Sequence, residues 1–88
     1  MSGAGIKVLY FAWLREKIGV AEEDIELAPG IATVAALTEW LSASSPRHEA
    51  AFAAGKTVRC AVNQDFAAPD APIRAGDEVA FFPPVTGG

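Results

Sequence analysis

The two most apolar strand-like stretches of this chain stand at its two ends. Ile6-Lys7-Val8-Leu9-Tyr10-Phe11 lies near the start and Glu78-Val79-Ala80-Phe81-Phe82 near the finish. Both are rich in β-branched and aromatic residues, the composition of strands. Ile6, Val8 and Tyr10 alternate with Leu9 and Phe11, and Val79 and Phe81 alternate with Ala80 and Phe82, so each stretch is largely apolar on both faces. Strands of that kind belong in the centre of a sheet. The two therefore lie side by side, parallel, joined through a helix by a right-handed crossover.

The intervening chain supplies one long helix. Thr33 is placed to N-cap a helix from Val34 to about Ser42, and Val34, Leu37 and Leu41 fall on one face of it. Ile31 packs under its start and Trp40 flanks the stripe. Around it the elements are short. Trp13 to Ile18 reads as one or two helical turns closed by Gly19. Glu22 to Leu27 is an edge strand whose carboxylates discourage edge-to-edge association. Ser44-Ser45-Pro46 stops the long helix, and His48 to Ala54 forms a further short turn ending at Gly55. Val58 to Val62 is a strand with Val58, Cys60 and Val62 on one face, turned at Asn63-Gln64-Asp65 into a short return that starts at Phe66. Pro69, Asp70 and Pro72 make an irregular crossing that carries Ile73, and Ala75-Gly76-Asp77 turns into the last strand. One mixed sheet with one principal helix packed on one face is an α+β, ubiquitin-like β-grasp. A ferredoxin-like sheet would need a second long helix.

Eighty-eight residues form one domain, expected over 1–84, with 85–88 as a flexible C-terminal tail. The net charge of −4 argues against nucleic acid and against an anionic membrane surface as partners. One cysteine, Cys60, allows no internal disulfide and points to the cytoplasm. No apolar run is long enough to span a membrane. One Cys and one His make no zinc site, and no glycine-rich phosphate loop is present, so no bound metal or cofactor is expected.

The last strand runs straight into Pro83-Pro84-Val85-Thr86-Gly87-Gly88. The prolines offer no N–H to a ladder and send the chain out of the sheet. The four residues from Val85 to Gly88 reach at most roughly 13 Å. Gly87 and Gly88 have no side chains and fit a narrow passage. The functional group at the tip is the Gly88 α-carboxylate, which is ionised at neutral pH and a poor electrophile. Such a tail offers a carboxyl terminus for another enzyme to activate. Helix on one side of the sheet leaves the other side open, and alternation turns Leu9, Phe11, Ala80 and Phe82 onto it, with Phe66 joining them. A contiguous apolar patch of that kind marks a binding site, here beside the launch of the tail.

Lys7-Val8-Leu9-Tyr10-Phe11-Ala12 with Leu14-Arg15-Glu16, then Ala61-Val62-Asn63-Gln64, and above all Gly76-Asp77-Glu78-Val79-Ala80-Phe81-Phe82-Pro83-Pro84-Val85-Thr86-Gly87-Gly88 resemble the small subunits of molybdopterin synthase, the MoaD-type sulfur carriers. The resemblance spans nearly the whole chain and is least specific from Ala21 to Thr57. It implies a non-catalytic small subunit whose catalytic side chains lie on its partners. The Gly88 carboxylate is adenylated by an activating enzyme that uses ATP, and a sulfur donor protein converts it to a thiocarboxylate. The large subunit of molybdopterin synthase receives the tail, in a complex of two small and two large subunits, and sulfur passes to a cyclic pyranopterin monophosphate. By motif, Phe11, Phe66 and Phe82 fall where such carriers contact both partners, with Pro83 and Pro84 leading into the tail of Val85, Thr86, Gly87 and Gly88. Position 66 often holds an aliphatic residue instead of Phe.

Other groups carry less. Cys60 on the core side of its strand is inert rather than a persulfide carrier. His48, between Arg47 and Glu49, reads as a solvated helix residue, and Glu22, Glu23, Asp24 and Glu26 as a solvated edge. Two alternatives share the tail chemistry: a ubiquitin-like protein modifier, which ends in an isopeptide bond, and a thiamine-pathway sulfur carrier.

Overall fold

A computed structural model of the chain describes residues 5–53 and 58–84. Five strands and three helices are found among these residues: β1 Gly5–Tyr10, α1 Trp13–Ile18, β2 Glu22–Glu26, α2 Val34–Ser42, α3 Pro46–Ala53, β3 Arg59–Val62, β4 Asp65–Phe66 and β5 Glu78–Phe82. The sheet order is β2-β1-β5-β3-β4. β1 and β5 are parallel at the centre, with Val8 opposite Val79 and Tyr10 opposite Phe81. The flanking pairs, β1 with β2 and β3 with β5, are antiparallel. The two strands that are apolar on both faces thus occupy the interior, and the acidic strand forms an edge, as the sequence requires.

One core lies between the sheet and the helices. Ile6, Val8, Tyr10, Val79 and Phe81 project into it from the central strands and Cys60 from β3. Leu14 and Ile18 of α1, Val34, Leu37 and Leu41 of α2, and Ala51 of α3 close over them. The Tyr10 and Phe81 rings stack across the parallel pair, their centroids 6.3 Å apart, and Phe52 meets Phe81 edge-on at 5.2 Å. Trp40 remains exposed at the side of α2.

The start of α2 explains the irregular crossing between β4 and β5. A helix leaves its first amide donors without intrahelical partners. Here Val34 N–H donates to the Ala71 carbonyl, Ala35 N–H to that of Pro69, and Ala36 N–H to Thr33 Oγ1. The crossing is therefore held as a backbone cap, and it seats Ile73 in the core.

One element exceeds expectation. The segment read as a short turn from His48 is the eight-residue helix α3, and it begins earlier, at Pro46. Ser45 caps it, since its Oγ accepts the His48 N–H at 3.1 Å and its carbonyl the Glu49 N–H at 2.9 Å. Pro46 occupies the first helical position, where its missing N–H costs nothing. The expected stop at Gly55 and the tail 85–88 lie outside the described residues.

Candidate functional site

The open face of the sheet is built by strand parity. With Val8, Tyr10, Val79 and Phe81 in the core, alternation turns Leu9, Ala80 and Phe82 to the opposite side, joined by Ala61 of β3, which pairs with both Ala80 and Phe66. Phe11 follows β1 and stays tied to β5, its N–H donating to the Phe81 carbonyl at 3.1 Å. Its side chain is 48% exposed, and that of Phe66 is 85% exposed, values that a monomeric core could not use. The Phe66 and Phe82 rings stand 5.9 Å apart. Pro83 and Pro84, both half-buried, carry the chain away from the end of β5. The structure thus brings Phe66, Phe82 and Pro84 together along one groove, with Phe11 just past the end of the neighbouring strand β1. Val85, Thr86, Gly87 and Gly88 lie outside the described residues.

Two local devices hold this face in shape. Ala12 has φ 57° and ψ −135°, a conformation that non-glycine residues rarely adopt. It turns the chain sharply between outward Phe11 and buried Leu14. At the other side, Asn63 and Gln64 both have positive φ, 51° and 73°, the geometry of a two-residue hairpin turn that matches the twist of β3 and β4. That turn places Phe66 beside Phe82. Asn63 also clamps it to β5: its Oδ1 accepts the Glu78 N–H at 3.0 Å and its Nδ2 donates to Asp77 Oδ1 at 3.0 Å.

The open face is polar at one end and apolar at the other. At the starts of β1 and β5, Lys7 lies opposite Asp24 and Glu78 and pairs with Glu22 at 3.0 Å. That pair, its neighbours' carboxylates and its hydrogen bond raise the Lys7 pKa, the hydrogen bond first. Towards the tail the face is aromatic and aliphatic, interrupted by Arg59, which lies opposite Phe82.

On the core side, two readings from the sequence need correction. His48 is not a solvated helix residue: its side chain is 12% exposed and sits edge-on to Tyr10. Its Nε2 lies 2.7 Å from Glu23 Oε2, and its Nδ1 lies 2.6 Å from Ser45 Oγ. A carboxylate only accepts, so Nε2 carries the proton. The Tyr10 hydroxyl donates to the same Glu23 oxygen at 2.7 Å. Glu23 is thus a structural tie between β1, β2 and α3 rather than part of a solvated edge. Burial first, then the Glu23 hydrogen bond and charge, push the Tyr10 phenol far above its ordinary range. The residue types gave no signal for this, because Tyr10, Glu23 and His48 meet only through tertiary folding. Cys60 is buried, and burial pushes its thiol up to about 11, so at neutral pH it is no nucleophile. Among the described residues no group of three or more His, Cys, Asp or Glu side chains is arranged to hold a metal, and no helix is long and apolar enough to cross a membrane.

Residues 8–88 match the ThiS family. The chain is 48% identical over 83 residues to the molybdopterin synthase sulfur carrier subunit of Escherichia coli K12, covering 94% of this chain and 99% of that protein. It is 41% identical over 85 residues to the protein of that name from Chlamydomonas reinhardtii, covering 94% and 98%. Among solved structures, a putative molybdopterin converting factor subunit 1 from Pyrococcus furiosus superposes with a TM-score of 0.75 at 36% identity, covering 93% of this chain and 99% of that one. Small archaeal modifier protein 1 from Haloferax volcanii also gives 0.75, at 28% identity, covering 94% and 100%.

Proposed function

Because the chain belongs to the ThiS family, we propose that it is the sulfur carrier subunit of a molybdopterin synthase, acting in molybdenum cofactor biosynthesis. The observation that carries this reading furthest is the exit of the central strand β5 through Pro83 and Pro84, beside half-buried Phe82 and exposed Phe66, with exposed Phe11 just past the end of the neighbouring strand. A partner that covers the aromatic face receives the tail in the same encounter. Contacts on the face offset the cost of ordering Val85 to Gly88, roughly 1–2 kcal/mol per residue.

The chemistry is confined to the terminus. The Gly88 carboxylate attacks the α-phosphate of ATP held by an activating enzyme, pyrophosphate leaves, and the acyl group becomes electrophilic. A sulfur donor protein displaces AMP through its persulfide sulfur, and a thiol then cleaves the resulting acyl disulfide, becoming a disulfide itself and leaving a thiocarboxylate. That sulfur is the nucleophile delivered to a cyclic pyranopterin monophosphate on the large subunit. Two carriers supply the two sulfurs of the dithiolene, one each, in a complex of two small and two large subunits. ATP is bound by the activating enzyme, and the work takes place in the cytoplasm. Cys60 takes no part, since its thiol is buried and protonated at neutral pH.

A second reading is favoured by the likeness to the archaeal modifier: activation of the same carboxylate followed by attachment to a protein lysine. One experiment separates the two. The chain is incubated with ATP, activating enzyme and sulfur donor, and its intact mass is compared with that of a variant lacking Gly88. An oxygen-to-sulfur mass gain on the full chain alone is the expected result. Gain on both would implicate Cys60, and adducts to lysines in place of a gain would favour the modifier.

A further inference from the structure

Arg59 is a charge out of place on the docking face. It projects from β3 on the open side of the sheet, opposite Phe82, and lines the groove with Phe66, Phe82 and Pro84. Its side chain is exposed, and among the described residues no carboxylate forms an ion pair with it. Among the described residues the carboxylates of this face stand at the other end. Glu78 is four residues back along β5 from Phe82, about 13 Å. Glu22, in the Leu9 row on the far edge strand, is already held by Lys7. The chain as a whole has a net charge of −4, yet the apolar end of the face carries a cation, Arg59, with no ion-pair partner among the described residues.

A guanidinium in that position is tolerable while the face is open to water. Once a partner covers Phe66 and Phe82, Arg59 loses its solvent, and an unpaired buried charge costs several kcal/mol. The partner must therefore bring the countercharge. We propose that Arg59 is a specificity determinant of this face, pairing with an Asp or Glu side chain that the large subunit lays over the groove. The inference rests on the sulfur carrier reading, which supplies the partner. A nucleotide phosphate fits the position less well, because the group that meets ATP is the Gly88 carboxylate at the far end of the tail. The planar fork of arginine, lining the groove beside Phe66 and Phe82, suits a carboxylate held in two parallel hydrogen bonds.

The test uses the full chain and the purified large subunit, with Kd measured by titration calorimetry at low and moderate salt. Arg59→Ala is expected to weaken binding at least about tenfold and to flatten its salt dependence. Arg59→Glu weakens it further, while Arg59→Lys keeps part of the affinity. Arg74→Glu, a charge reversal on an exposed residue outside the groove, changes Kd less than about twofold. Restoration of Arg59→Glu binding by an Asp→Lys or Glu→Lys variant of the large subunit would identify the pairing group. Affinity and salt dependence unchanged in both Arg59→Ala and Arg59→Glu would overturn the pairing and leave the carrier reading standing. No binding of the unaltered chain would overturn the carrier reading, and the pairing with it.

Discussion

Single residues in this protein divide by whether they meet water. Cys60 and Phe66 lie one strand apart in the same hairpin and have opposite fates. The Cys60 thiol, pushed up to about 11 by burial, stays protonated in the native chain where the unfolded chain has already ionised. Between about pH 9 and 11 the unfolded state therefore binds fewer protons than the native one, and stability falls as pH rises. Below that window the contribution is complete. Tyr10 adds to the fall at higher pH, since its phenol is also raised. Urea unfolding of the native chain and of Cys60→Ala across pH 8 to 11 isolates the cysteine. The difference between the two curves is expected to change through this window, and a constant offset would refute the buried thiol. The residue-level errors were those of side chains whose partners are remote. His48 carries no mark in its own neighbourhood of being buried, because its acceptor, Glu23, is 25 positions away.

Among the elements, α3 and the edge strand β2 are joined less by apolar packing than by polar atoms. Glu23 Oε2 accepts from both Tyr10 and His48, so one oxygen ties the central strand, the edge and the helix. Removing one donor leaves the other bond in place with a changed acceptor. His48→Ala is expected to cost about 1–3 kcal/mol, with Tyr10→Phe at the lower end. The two effects should fail to add, which a double-mutant cycle in urea measures directly. Additivity within about 0.5 kcal/mol would mean the bonds are independent and the shared oxygen unimportant. The signal for α3 itself was present in the sequence: Ser45 followed by Pro46 is an N-cap followed by a first-turn proline. It was read only as the stop of α2, since the same residues end one helix and begin the next.

For the molecule as a whole, the division between helices on one side of the sheet and an open aromatic face on the other sets up the function. Phe66, 85% exposed, adds little to the monomer beyond its ring contact with Phe82. Phe66→Ala should change unfolding stability by no more than about 1 kcal/mol. Affinity for the large subunit should fall more than about tenfold, as for an aromatic anchor. Equal losses of stability and binding would instead make Phe66 part of the fold.

The sequence by itself determined the sheet. Two strands apolar on both faces can be satisfied only at its centre, and period-two alternation then decides which side each aromatic takes. It also determined where β5 must leave the sheet, because proline lacks the N–H that a ladder needs. Tertiary structure alone decided what those strands bring near one another. The joining of Tyr10, Glu23 and His48, the clamp of Asn63 on β5 and the placement of Arg59 opposite Phe82 depend on register between segments far apart in the chain. Local composition fixes which way a side chain points. Its neighbours across the sheet are fixed by the pairing of strands, which no single stretch of sequence contains.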